Sequence, residues 1–240
     1  MTDELKGKVI VLTGAGGGLG QVVAKKLAEA GACLALVERN PDSLADCIQA
    51  LGGDTECYKG FPADLSDEEE VENALNHIID QFTEIDGIVH TVGGFAMGDP
   101  VHATNMDVYD KMMTLNARVV YLVAGKFANY FVENDKTGSI TAVLARSGKK
   151  GAKNQAAYVA SKAAATRIVE SMALELREQN IRVNGVSPSI IDTPANRNDM
   201  SDADFSKWVT PEQIGDLMVF LQSDASVAIT GANIEISGQV

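Results

Sequence analysis

Short apolar runs rich in β-branched residues alternate with longer segments of helical periodicity along this 240-residue sequence. The run at 8–13 is almost uninterrupted and ends at glycines, which is typical of a strand buried on both faces. Strands are predicted at 8–13, 33–37, 55–61, 87–92, 139–144, 181–186 and 233–236, and helices at 19–30, 42–51, 67–82, 106–132, 156–178 and 211–222. This alternation predicts an α/β Rossmann fold, a doubly wound seven-stranded parallel sheet with helices on both faces.

Composition limits the domain count and the class of partner. No linker or low-complexity tract interrupts the pattern, so we expect a single domain over residues 1–240. The net charge of −13 would repel a phosphate backbone, which argues against binding to nucleic acid. No apolar run approaches the ~18 residues of a membrane span. We therefore expect a small-molecule substrate rather than a nucleic acid or a membrane.

The cysteines and histidines show no metal-ligand pattern. Cys33, Cys47 and Cys57 are an odd number, contain no CxxC motif and have no histidine at ligand spacing. We interpret them as reduced core thiols and predict a cytoplasmic protein with no metal.

A glycine-rich turn follows the first predicted strand and opens the first helix. Its spacing is T-G-x-x-x-G-x-G, through Thr13, Gly14, Gly18 and Gly20, with Leu19 between the last two glycines. Glycines let the backbone turn tightly and approach a pyrophosphate, whose charge meets the N–H groups of the helix N-terminus. A loose connecting loop is the alternative, but the position between strand and helix favours a dinucleotide site.

The end of the second strand carries Glu38 and Arg39. An acidic side chain there can accept hydrogen bonds from both adenosine-ribose hydroxyls and repels a 2′-phosphate. Glu38 therefore favours NAD(H), while the adjacent Arg39 leaves NADP(H) open. Asp64 and Leu65, after the third strand, are candidates to flank the adenine.

Tyr158 and Lys162 lie four residues apart on a predicted helix, so they project from one face. An ammonium group near a phenol favours the phenolate, and we expect Lys162 to lower the pKa of Tyr158 toward the range needed for proton transfer.

With these motifs, the sequence resembles the short-chain dehydrogenase/reductase family over nearly all its length. The shared residues are TGxxxGxG, Asn116 in Leu-Asn-Ala, YxxxK, the Arg-Val-Asn at 182–184, Pro188 and Thr193. The resemblance implies hydride transfer at a nicotinamide and oligomerisation as a homodimer or homotetramer. It implies that Tyr158 is the proton donor or acceptor, that Lys162 binds the nicotinamide ribose and that Asn116 holds a water. Thr193 would contact the carboxamide, and Gly93 and Pro188 would line the cofactor.

One residue of the family pattern is missing. The family has a serine thirteen positions before the tyrosine, where this chain has Ala145. Losing such a hydrogen-bond donor costs ~2.7–4 kcal/mol of transition-state stabilisation. Three explanations are open. Ser147 or Arg146 supplies the hydrogen bond of the missing serine, catalysis is lost, or the substrate develops no localised oxyanion.

A local resemblance favours the last alternative. Residues 92–98 and 192–211 resemble the substrate segments of dihydropteridine reductases, which also lack the serine. Phe95 and Trp208 would then be aromatic walls for a flat ring, unless both are core or lid residues; the predicted lid spans 193–210. The leading hypothesis is an oxidoreductase acting on a small carbonyl or on an imine-like quinonoid dihydropterin. A catalytically weak nucleotide-binding sensor or scaffold is the alternative.

Overall fold

A computed structural model describes residues 3–53, 55–103 and 105–240, which form a single α/β domain. The strands are β1 (Val9–Thr13), β2 (Cys33–Glu38), β3 (Tyr58–Pro62), β4 (Gly87–His90), β5 (Gly138–Val143), β6 (Ile181–Pro188) and β7 (Asn233–Ile236). The helices are α1 (Gly18–Glu29), α2 (Pro41–Ala50), α3 (Glu68–Phe82), α4 (Met106–Met113), α5 (Val119–Glu133), α6 (Ala156–Glu175), α7 (Pro194–Asp199) and α8 (Pro211–Gln222).

All seven strands pair in parallel in the order β3-β2-β1-β4-β5-β6-β7. The order reverses at β1, so the loops after β1 and β4 diverge and leave a crevice at the carboxyl edge of the sheet. The predicted fold class is confirmed.

Both faces of the sheet are covered, as the apolar strands require. Along β1, Ile10 and Leu12 pack with α1 and α8, whereas Val11 packs with α3 and α5 on the other face. Side chains alternate across a strand, so an uninterrupted apolar run can bury both faces.

The long helix predicted over 106–132 is divided in two. A π turn, Thr114–Arg118, separates α4 from α5. The wider turn places the side-chain amide of Asn116 against the backbone of Gly94. The amide donates to the Gly94 carbonyl and accepts from the Gly94 N–H, each at 2.9 Å. Such π turns are frequent at functional sites.

The expectation of three reduced thiols is wrong in this structure. Cys33 and Cys57 form a disulfide, because the register of β2 and β3 places them opposite each other with their Cα atoms 4.3 Å apart. Cys47 is free and buried. The prediction of a cytoplasmic protein therefore loses the support that it drew from reduced cysteines.

The third strand begins later than predicted. The side chain of Thr55 accepts hydrogen bonds from the backbone N–H groups of Cys57 and Tyr58, which forms a turn before β3. Among the described residues, no helix is long and apolar enough to cross a membrane, and no cluster of three or more acidic, histidine or cysteine side chains could hold a metal ion.

Candidate active site

The glycine-rich turn joins β1 to α1 in a conformation that side chains would obstruct. Gly14 adopts a positive φ of 76°, and its N–H donates to the carbonyl of Val37 at 2.8 Å. A Cβ atom on Gly20 would lie 1.9 Å from the Gly14 oxygen, so only glycine fits there. Helix α1 starts after Gly17, and no side chain of the described residues caps it. The exposed helix N-terminus and close backbone approach fit the pyrophosphate of a dinucleotide.

Glu38 lies beside this turn at the end of β2. Its carboxylate accepts from the N–H of Gly16 at 3.2 Å and from the N–H of Arg39 at 2.9 Å. The guanidinium of Arg39 lies 3.5 Å from Asp64. Hydrogen bonds from Ser66, and secondarily from Arg39, lower the pKa of Asp64. The structure thus brings the predicted ribose and adenine residues to one edge of the crevice.

The two predicted leucines contribute differently. Leu65 is buried in the core with α3, and Leu19 is partly buried against the cluster that contains α1 and α8. Leu65 can therefore meet a cofactor chiefly through its backbone, whereas the partly exposed side chain of Leu19 can also contact one.

Tyr158, Lys162 and Asn116 converge on the other side of the crevice. Tyr158 and Lys162 lie on the first turns of α6, and Lys162 is only 5% exposed. A Cβ atom on Gly93 would lie 3.0 Å from both the Lys162 Nζ and the Asn116 Oδ1, so these groups border the same small space. The Asn116 amide also donates to the hydroxyl of Ser161 at 3.1 Å, which joins the π turn to α6.

The electrostatics of this cluster differ from the expected form. Burial raises the pKa of Tyr158, and a hydrogen bond with Ser147 partly offsets that rise. Burial lowers the pKa of Lys162 to about 8. The expectation that Lys162 lowers the pKa of Tyr158 is therefore wrong here, since the ammonium group donates to the Val143 carbonyl at 3.3 Å.

The sequence matches the family model "short chain dehydrogenase" over residues 8–204. The chain belongs to the short-chain dehydrogenase family. A 2,3-dihydro-2,3-dihydroxybenzoate dehydrogenase of Bacillus subtilis (strain 168) is 28% identical over 252 residues, covering 98% of this chain and 96% of that protein. A short-chain type dehydrogenase/reductase from Mycobacterium ulcerans is 26% identical, with a TM-score of 0.91 over 98% of this chain and 90% of that one. An NAD⁺-bound xylitol dehydrogenase is also 26% identical, with a TM-score of 0.88 over 98% and 99% of the two chains.

In this short-chain dehydrogenase, the segment predicted to form a lid begins beside the glycine-rich turn. Thr193 caps α7 by accepting from the N–H of Asn196, and its side chain lies 3.8 Å from where a Cβ of Gly18 would be. Pro188 ends β6, where it pairs with Ile236 of β7. Both residues therefore lie at the carboxyl edge of the sheet, where the resemblance places the nicotinamide.

The two candidate aromatic walls have different surroundings. The ring of Phe95 is 56% exposed and meets the ring of Tyr158 edge-on, with centroids 4.9 Å apart. Trp208 is only 6% exposed and packs on Phe205, 4.8 Å between centroids. Arg197 lies over Phe205 and pairs with Asp192. The structure thus places Phe95 at the phenol and Trp208 inside the packing of the lid.

Three contributions were not assigned from the sequence. Ser161 links Asn116 to the carbonyl of Tyr158, to which it donates at 2.8 Å. Its spacing of three residues from Tyr158 on one helix is the signal that could have indicated this. The second is the backbone carbonyl of Val143, which accepts from the Lys162 ammonium group. No sequence motif could indicate it, because every residue has such a carbonyl.

His90 is the third. The structure buries this side chain at the end of β4, with Nδ1 2.8 Å from the Thr13 hydroxyl and Nε2 without a partner among the described residues. Burial, and then the charge of Lys162, lower the pKa of His90 to about 3.

Proposed function

We propose that this short-chain dehydrogenase prefers NAD(H) and transfers a hydride between nicotinamide and a small carbonyl, alcohol or imine-like substrate. The observation that carries the proposal is the placement of Tyr158. Its ring meets the exposed ring of Phe95 edge-on, and one helical turn further along α6 the Nζ of Lys162 borders the same small space as Asn116. A substrate that stacks on Phe95 would present its reacting atom to this phenol.

The crevice fits the cofactor that the family implies. Its nucleotide would be held by the backbone at Gly14, Gly18, Leu19 and Gly20, by Glu38, Asp64 and Leu65, and at the nicotinamide end by Gly93, Pro188 and Thr193. When bound, the nicotinamide supplies or accepts the hydride. Glu38 supports a preference for NAD(H), because its carboxylate would repel a 2′-phosphate, although Arg39 beside it would attract one.

Tyr158 is proposed to donate the proton during reduction. Because burial raises its pKa, the phenol holds its proton at neutral pH and can release it to the substrate as negative charge develops. In reduction the substrate gains a hydride, which carries both electrons, and one proton from the phenol, and the phenolate then regains a proton from solvent. The lowered pKa of Lys162 makes that amine able to exchange protons near neutrality and support this recovery.

Ser147 is proposed to take the place of the missing serine. The turn at Arg146–Lys149 packs on α6, with Gly148 against the backbone of Lys162. The Ser147 hydroxyl forms a hydrogen bond with the Tyr158 side chain. Arg146 is less suitable, since its guanidinium donates to the carbonyl of Val240. A ketone oxygen could therefore receive hydrogen bonds from both hydroxyls, which supports a carbonyl substrate over a quinonoid dihydropterin that would need only Tyr158.

The test is NADH oxidation with small ketones and with quinonoid dihydropterin. Tyr158→Phe should lower kcat at least about 100-fold with either class. Ser147→Ala should lower kcat about 100-fold with ketones but not with the pterin. Tyr109→Phe, which changes an exposed phenol on α4, is the matched control.

Two results would refute this mechanism. Full activity of the Tyr158→Phe variant would show that Tyr158 is not the proton donor. Wild-type protein that binds NADH but turns over neither class would favour the nucleotide-binding sensor or scaffold.

We also propose that the protein is a homodimer or homotetramer. The small residues Ala163 and Ala164 are partly exposed on α6, and Tyr121 on α5 is 69% exposed, which suits close packing between helices of two subunits. Light scattering coupled to size-exclusion chromatography measures the mass; a monomer across micromolar concentrations would contradict the proposal.

A further inference from the structure

The loop between β5 and α6 has a charge opposite to that of the rest of the chain. Four of the 20 lysines and arginines fall within residues 146–155, and none of the 33 carboxylate side chains does. The protein as a whole carries a charge of −13. In such a protein, a local cationic segment creates a positive potential that attracts anions to one place.

This cationic loop borders the proposed site. It begins at the turn that holds Ser147 and ends at Gln155, three residues before Tyr158. The carbonyl of Asn154 accepts from the N–H of Gly98 at 2.8 Å, which fastens the loop to the segment that carries Phe95. The loop is therefore part of the rim through which a substrate reaches the phenol.

Two of its cations have no carboxylate partner. Lys149 pairs with Glu235, and Arg146 donates to the Val240 carbonyl. Lys150 and Lys153 are exposed, and no carboxylate of the described residues forms an ion pair with either.

The neighbouring elements agree with an anion rather than a neutral ligand. Helix α6 begins at Ala156 with no acidic residue in its first turn and no side-chain cap from the described residues, so its N-terminus adds positive potential. The lid does not supply the same charge, because its Arg197 and Lys207 pair with Asp192 and Asp204.

We propose that the substrate carries an anionic group, a carboxylate or a phosphate, that Lys150 and Lys153 bind at the rim while its carbonyl lies at Tyr158. This inference rests on the proposed function and narrows its substrate class. Lysines bind such groups as flexible point charges, so the site tolerates either anion.

Matched substrate pairs test the inference and separate the two anions. Acetoacetate is compared with methyl acetoacetate, and dihydroxyacetone phosphate with dihydroxyacetone, in NADH-dependent reduction. We expect kcat/KM to favour the anionic member of at least one pair about tenfold, and the preference to shrink as ionic strength rises. The pair that shows the preference identifies the anion.

The variant Lys150→Gln/Lys153→Gln should lose the preference and keep its activity toward the neutral member. Lys6→Gln/Lys25→Gln removes the same charge from exposed lysines away from the loop and should retain the preference. Equal kcat/KM within both pairs, or a preference that survives in Lys150→Gln/Lys153→Gln, would overturn the inference.

Calorimetry of acetoacetate and of dihydroxyacetone phosphate, with NAD⁺ present, gives a readout that does not need turnover. Binding that is lost in the double variant would support the anion site even if the proposed reaction fails. Absence of binding of both anions together with absence of turnover would overturn it.

Discussion

Replacing Lys162 by methionine should stabilise the protein while removing activity. Methionine has nearly the same length and no charge, so it fills the same buried space on α6 without the desolvation of an ammonium group. The lysine is only 5% exposed and has a single hydrogen bond, to the Val143 carbonyl, among the described residues.

The pKa of Lys162 gives the size and the sign of the effect. Its folded value is about 8 against an ordinary 10.5, so the unfolded chain binds the proton more tightly. At pH 7 this difference destabilises the folded protein by about 3 kcal/mol. Between pH 8 and 10.5 the folded lysine is neutral while the unfolded one is still charged, so stability rises with pH through that window. At pH 9.5 the remaining cost is about 1.4 kcal/mol.

Urea unfolding of cofactor-free wild type and of Lys162→Met, at pH 7 and at pH 9.5, measures the free energy of unfolding of each protein and so the cost of the buried charge. The variant should be more stable at pH 7 by about 2 kcal/mol, after about 1 kcal/mol for the lost hydrogen bond. Its advantage should fall by about 2 kcal/mol at pH 9.5. Other groups that titrate in this range are common to both proteins and cancel.

Lys136→Met is the matched control. Lys136 pairs with Glu84 at 2.6 Å, and this interaction raises its pKa, so removing it should not stabilise the protein at pH 7. An advantage of Lys162→Met that is the same at both pH values would refute the reasoning, because it would come from packing and not from the buried charge.

Three further predictions concern other parts of the molecule. Glu38→Ser should raise kcat/KM for NADPH relative to NADH by about tenfold or more, because the repulsion of a 2′-phosphate is removed; steady-state kinetics with both cofactors measure this. His90 is buried neutral with a pKa of about 3, so stability is lost as pH falls from 6.5 toward 3, and His90→Asn should lose about 2 kcal/mol less than wild type between pH 7 and 5 in urea unfolding. Iodoacetamide added to the denatured, unreduced protein should label Cys47 alone, and label Cys33 and Cys57 only after reduction, as mass spectrometry would show.

The fold could be predicted because its signals are local and periodic. The run at 8–13 is apolar on both faces, and that pattern has one stable solution, a strand covered by helices on both sides. The convergence of Tyr158 and Lys162 followed from helical spacing, and the adjacency of Glu38 to the glycine-rich turn followed from parallel strands ending at one edge.

Features that depend on contacts between distant segments could not be predicted. The π turn at Asn116 is stabilised by the backbone of Gly94, 22 positions earlier in the chain. The disulfide depends on the register of β2 and β3, which apolar periodicity does not determine to a single residue. The bond between Ser147 and Tyr158 depends on how a loop folds back on α6, so the sequence alone left three explanations for Ala145.

The polar groups behind Tyr158 explain why the chain retains interactions that reduce its stability. Lys162 and His90 are both buried, and the charge of the lysine makes protonation of the histidine still less favourable. A pair selected for stability alone would be apolar, because buried polar groups are expensive without full hydrogen bonding. A neutral His90 next to Lys162 leaves one cation in this region, and a single amine with a lowered pKa can return protons to a tyrosine near neutral pH. If that is the reason for the arrangement, the same substitution that stabilises the protein must abolish turnover, and Lys162→Met tests both in one variant.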